Sequence, residues 1–259
     1  MSRTWRGALA LAFTAACVLV AIFAPPVAQP QSYHDFADKR ALFSIANFGD
    51  VASNLPFLLV GIAGLWALRP AGRAVFMRNE ERWPYLIFFA GVFGTAFGSA
   101  YYHLAPDDNR LVWDRLPITL AFMGLICGLV ADRVDLKLGR TLTMPAVVVG
   151  LASVWYWQWT RLHGVENLLP YLVLQGYAMV MVLVLALAYS SKYTAGSMIY
   201  GVVGLYVAAK LFELGDRVIF SAGGLVSGHT VKHLLAGLAT YWVLRMLTAR
   251  RPRAQGQVT

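Results

Sequence analysis

Three histidines stand out in a chain that is otherwise mostly apolar. His103 closes the segment Gly98-Ser99-Ala100-Tyr101-Tyr102-His103, and the other two lie in Ser227-Gly228-His229-Thr230-Val231-Lys232-His233. His229 and His233 are four residues apart, so on a helix they share a face, and such a pair can hold one metal ion. Ser99 and His103 share a face for the same reason. Asp114 comes fifteen residues after Ser99, past the polar reversal Ala105-Pro106-Asp107-Asp108-Asn109-Arg110, and about one turn into the next apolar run. Three protein ligands with an open fourth position form the pattern of a catalytic zinc site, although imidazole nitrogen also takes other first-row metals. Each residue alone has a plainer role. A histidine at a helix end decorates the interface, Ser99 packs helices, and Asp114 pairs with Arg115 or Arg110. All five at one predicted depth favour a site.

The elements that must position them are membrane helices. Of the 259 residues, 58% are hydrophobic and 14% charged, against roughly 25% charged in soluble domains. The mean hydropathy is +0.58. A spanning helix needs about 20 mostly apolar residues. Eight runs qualify, near 7–25, 51–69, 84–103, 111–131, 142–159, 167–190, 195–214 and 226–247. Their continuous apolarity argues for helices rather than the alternating strands of a barrel. The expected fold is all-α and polytopic: a seven-helix core over 33–247, preceded by residues 1–32 and followed by a basic tail, 248–259. The first run, with Arg3 and Arg6 before it and Ala24-Pro25-Pro26-Val27-Ala28 after it, is long for a signal peptide. It reads better as a retained helix, with a cleaved segment the alternative.

The net charge of +9 does not point to nucleic acid, because the basic residues fall mostly in short loops between apolar runs. Arg69, Arg73, Arg78 and Arg82, then Arg133, Lys137 and Arg140, then Lys192, and finally Arg245, Arg250, Arg251 and Arg253 share one side if every run spans. The positive-inside rule puts that side, and both termini, in the cytoplasm. The histidines then lie near the extracytoplasmic face. Cys17 and Cys127 sit inside apolar runs without metal-finger spacing and read as small buried hydrophobes. Lys232 lies about a quarter turn off the histidine face and reads as a snorkelling or paired lysine, with Glu213 a partner for it or for Lys210. His34 and His163 are expected in loops and solvated.

On these residues the chain resembles the alkaline ceramidases, within a wider group of seven-helix hydrolases that includes the adiponectin receptors. The matching pieces are Ser99-x-x-x-His103, Asp114, and His229-x-x-x-His233, with Ser53-Asn54 in Val51-Ala52-Ser53-Asn54-Leu55-Pro56-Phe57 and Asp216 as further family-like positions. The resemblance covers about 33–247. It implies zinc on His103, His229 and His233, with Ser99 and Asp114 assisting. It also implies cleavage of an N-acyl sphingolipid to a fatty acid and a sphingoid base. Eukaryotic members carry a calcium site before the first core helix. Here Asp35, Asp38 and Asn47 make a weak candidate for it, because Lys39 and Arg40 bring positive charge there.

The expected chemistry is attack of a zinc-activated water on a lipid amide. Ser99 would donate to the oxyanion, and Asp114 would carry the proton to the leaving amine. The competing class is a receptor or binding module with a structural zinc. A transporter fits less well, because the polar residues gather near one face rather than along a path. The lipid itself and the oligomeric state are not legible in the residues.

Overall fold

The computed structural model describes residues 2–254, so 255–259 of the expected tail lie outside the described residues. Helices dominate, and no strand forms among the described residues. In chain order they are α1 (Arg3–Phe23), α2 (Phe48–Ala52), α3 (Leu55–Ala67), α4 (Arg82–Leu104), α5 (Asp108–Arg133), α6 (Leu136–Leu162), α7 (Leu169–Ala188), α8 (Met198–Leu214), α9 (Asp216–Gly223) and α10 (Gly228–Ala249). Side-chain caps start several of them. Asp107 accepts from the Arg110 amide before α5, Asp135 from Leu138 before α6, and Ser227 from Thr230 before α10; each satisfies an amide the helix leaves open.

Six segments are long and apolar enough to cross a membrane: Thr4–Phe23, Phe48–Ala67, Asn79–Leu104, Asp108–Arg133, Leu136–Leu162 and Leu169–Ala188. α8 and α9, bent by 72° at Gly215, add a seventh if they form one broken span. The eight runs of the sequence therefore reduce to six or seven by length and composition. The eighth folds as α10 but stands outside that set, its first two turns carrying His229, Lys232 and His233. Two local features were not expected. The second run breaks at Ser53–Asn54, between α2 and α3, and α9 adds a short helix before α10.

The outer surface is apolar. Leu59, Ile62 and Trp66 of α3 and Val148, Val149 and Trp155 of α6 are exposed. Asp50, Asp114, Arg115, Asp132 and Arg133 are buried. Large apolar side chains left exposed in such number mark contact with lipid or another protein, and charge turned inward is the arrangement a membrane imposes. α1 rests on α7: Phe13 stacks on Tyr177 with ring centroids 5.7 Å apart, and Thr14 Oγ1 lies 3.2 Å from the Tyr177 hydroxyl.

The helices lead to two unlike ends. His103 and Glu81 flank α4, about 33 Å apart at 1.5 Å per residue. At the Glu81 end the basic connections meet. Val75 N donates to Leu247 O, Arg250 Nε to Val75 O, and the Tyr193 hydroxyl to Glu81. At the His103 end lie the start of α10, the α4–α5 turn and the segment 24–47. There α4 and α5 touch backbone to backbone. A Cβ on Gly98 would stand 2.1 Å from the Trp113 carbonyl oxygen, so only glycine lets the two helices meet where Ser99 and Asp114 leave them.

Candidate metal centre and its cavity

α4 brings His103 to the bundle interior, and α10 brings His229 and His233 to meet it. The three rings are buried, with 1%, 3% and 3% of their surface exposed. Their centroids lie 4.7 to 4.9 Å apart, and one ring nitrogen from each falls within 4.8 Å of the others. His103 Nε2 and His229 Nε2 are 3.3 Å apart. Nitrogens 2.0–2.1 Å from one tetrahedral zinc are separated by about 3.3 Å, so this pair already has the spacing of two ligands. No fourth His, Cys, Asp or Glu joins the group among the described residues. Asp114 in particular is not part of it. The donor set can hold a metal ion through three imidazoles.

Surrounding groups orient these rings. Ser53 Oγ lies 2.8 Å from His233 Nδ1 and also reaches the Asp50 carbonyl oxygen at 3.1 Å. With His233 Nε2 turned to the cluster, Nδ1–H donates to Ser53 and Ser53 donates onward to Asp50. Metal-binding histidines are usually fixed through the second nitrogen in this way. The Ser53-Asn54 pair therefore acts from the break between α2 and α3. His103 Nδ1 is buried with no hydrogen-bond partner.

Two acids, the buried Asp50 and the half-buried Asp216, anchor the start of α10. The Thr230 hydroxyl donates to Asp50 Oδ1 at 2.8 Å and the Ser227 hydroxyl at 3.3 Å. The His229 amide donates to Asp216 Oδ1 at 2.8 Å, while Asp216 Oδ2 takes the Ala37 amide at 2.9 Å. Carboxylates at a helix N-terminus also suit its dipole. Gly228 makes room: a Cβ there would lie 2.2 Å from the Phe212 carbonyl oxygen. The positioning role of Asp50 was not read from the sequence. Its signal was an acid at the start of an apolar run.

Ser99 and Asp114 lie beside each other where α4 and α5 meet. Both line a cavity of about 440 Å³ that His233 also lines. Asp114 makes no ion pair with Arg110 or Arg115; Arg110 pairs with Asp107 at 3.5 Å. The cavity follows one face of each helix inward, through Thr95, Val92 and Phe88 on α4, and Ala236, Thr240 and Val243 on α10. From Ser99 to Phe88 is about 16 Å along the axis. Polar groups collect at the histidine end, and the remainder is mostly apolar.

Lys232 is a paired lysine, as expected, and is not turned out to solvent. It pairs with Glu213 at 2.7 Å, and Lys210 shares the same carboxylate. Yet Lys232 Nζ also lies 3.2 Å from His229 Nε2, and the side chain lines the cavity. His34 is likewise not solvated: its ring nitrogens lie 2.8 Å from the Tyr102 hydroxyl and 3.0 Å from Asp108 Oδ1. His163 is exposed, with Nδ1 2.8 Å from the Trp159 carbonyl oxygen.

The segment 24–47 covers the site. The Phe36 ring is buried against His103 and His229, with centroids 4.7 and 4.4 Å away. Asp35 pairs with Lys39 and with Arg217 of α9, and Asp38 with Arg40 at 2.7 Å. Arg40 also donates to the Gly224 and Leu225 carbonyls. Hydrogen bonds from Lys39 and Arg217 hold the Asp35 carboxyl below its ordinary pKa. A hydrogen bond from Arg40 does the same for Asp38. Asn47 Nδ2 donates to the His103 carbonyl at 2.8 Å. The three calcium candidates are thus each turned to a different partner, and both carboxylates are matched by cations of the chain.

No protein-family model matches the chain, and no curated protein matches it.

Proposed function

We propose that this chain is a membrane-embedded, zinc-dependent hydrolase of lipid amides, ceramidase-like in cleaving an N-acyl sphingolipid to a fatty acid and a sphingoid base. One observation carries the reading. Three buried histidines, with no fourth His, Cys, Asp or Glu in the group among the described residues, meet a mostly apolar cavity at its polar end through His233, beside a serine–carboxylate pair a structural metal does not need. The chain's resemblance to the alkaline ceramidases adds the substrate class.

His103, His229 and His233 would hold the ion, with Ser53 and Asp50 fixing His233. Zinc there supplies Lewis acidity and lowers the pKa of a water to about 7. The apolar walls take the acyl chain and keep bulk water from the amide. Asp114 accepts the proton of the attacking water and returns it to the leaving nitrogen. Ser99 holds that carboxylate in place beforehand. Once Asp114 is protonated, the Ser99 hydroxyl is released to donate to the developing oxyanion. Lys232, tied to Glu213, keeps a positive charge beside the reacting carbonyl. The asymmetry of basic residues supports an extracytoplasmic position for this end, with the basic end and the C-terminus in the cytoplasm.

The test uses purified wild type and Asp114→Asn. Wild type should release fatty acid from N-acyl lipids, lose this on chelation and regain it with zinc. Asp114→Asn should bind as much metal but turn over about 10²- to 10⁴-fold more slowly. Cleavage that ignores chelation, or full activity in Asp114→Asn, refutes the mechanism. Stoichiometric metal without cleavage of any lipid amide would favour a receptor with a structural zinc.

A further inference from the structure

Arg115 lines the cavity one residue beyond Asp114 and is 4% exposed. Its guanidinium lies 4.4 Å from the Trp157 ring centroid, 4.8 Å from that of Tyr171 and 5.8 Å from that of Tyr33. Nη2 donates to Gln29 Oε1 at 2.5 Å, and Nη1 has no hydrogen-bond partner. Of the cavity's cations, Lys210 and Lys232 share Glu213, while Arg115 has no carboxylate within ion-pair distance among the described residues.

Aromatic faces and a neutral amide position a guanidinium without neutralising it. A buried charge left this way is unfavourable until a counter-charge completes it. The planar fork of N–H donors matches the oxygens of a carboxylate or phosphate. The surroundings favour an anion too. Asp114 and Glu213 face three cations, Arg115, Lys210 and Lys232, and a divalent ion on the histidines would add to the excess. Gln29 and Tyr33, which hold the guanidinium, belong to the covering segment. The charge therefore sits at the outer end, and the apolar length runs the other way.

We infer that Arg115 is the specificity-determining residue for the lipid headgroup. An anionic oxygen group on the amine side of the lipid amide, a carboxylate or a phosphate, docks on its guanidinium while the acyl chain fills the apolar length. This rests on the amide-hydrolase reading and narrows it to acidic N-acyl lipids.

The test is binding by the full-length protein in detergent after chelation, which separates recognition from turnover. The probes are N-oleoylglycine, N-oleoylethanolamine phosphate and neutral N-oleoylethanolamine. Wild type should bind one or both acidic amides about tenfold to a hundredfold more tightly than the neutral one, and the arm that wins names the anion. Arg115→Gln should lose that preference yet bind the neutral amide as wild type does, and Arg115→Lys should keep part of it. Equal affinity of wild type for all three probes overturns the proposal without recourse to a variant, as does undiminished preference in Arg115→Gln. Cleavage is then read on zinc-loaded protein. Preference without cleavage would leave the subsite standing and remove the hydrolase reading; cleavage without preference would do the reverse.

Discussion

Ser53 shows how much of a metal site depends on residues that never touch the ion. Its hydroxyl links His233 Nδ1 to the Asp50 carbonyl, fixing both the ring angle and the nitrogen left for metal. Loss of such a partner costs about 10- to 100-fold in metal affinity. Ser53→Ala should therefore weaken zinc binding by that factor in a chelator competition; unchanged affinity would mean packing alone orients the ring. Removing a ligand is harsher, and His229→Ala should leave zinc content near zero after dialysis. Ser53 was legible as half of a motif. Its contact with His233, 180 residues away, was not, because no local pattern records which distant ring a hydroxyl meets.

The α4–α5 hairpin positions Ser99 against Asp114 through one close approach. Gly98 lies against the Trp113 carbonyl, where a Cβ would be only 2.1 Å away. Gly98→Val must spread the helices, at a cost of about 1–3 kcal/mol from overpacking. Thermal unfolding in detergent should show a lower Tm, with activity falling further than stability while metal content persists. A variant with wild-type activity would show that the contact is not needed. The covering segment obeys a different rule. Asp38 has its pKa lowered chiefly by the hydrogen bond from Arg40. A lowered folded-state value stabilises above the unfolded value of about 3.9, and that contribution is lost as pH falls through the folded value. Asp38→Asn should thus be less stable than wild type at pH 6, and the gap should close below about pH 4. A gap independent of pH would rule out this ion pair as its source.

On the scale of the whole molecule, the two ends differ in kind. One gathers histidines, buried acids and the covering segment; the other gathers the basic connections and residues 250–253. Cytoplasmic placement of the basic end predicts that a reporter fused after residue 254 is active only in the cytoplasm, and that one placed in the 105–107 turn is active only outside. The opposite pattern would invert the proposed orientation and place the cavity's mouth at the inner leaflet.

Helix content, the apolar runs and the order of the chemistry-bearing residues were determined by the sequence alone, because hydrophobic length and i, i+4 spacing are local properties. His103, His229, His233, Ser99 and Asp114 could all be picked out that way. Tertiary structure decided what those residues face. It gathered one nitrogen from each histidine within 4.8 Å of the others and brought Ser99 beside Asp114. It also turned Lys232 into the cavity, Asp35 and Asp38 onto arginine and lysine, and Arg115 onto three aromatic rings. These outcomes depend on how helices cross and on where a glycine lets backbones meet. Such distances join residues far apart in the chain, and no single stretch of it encodes them.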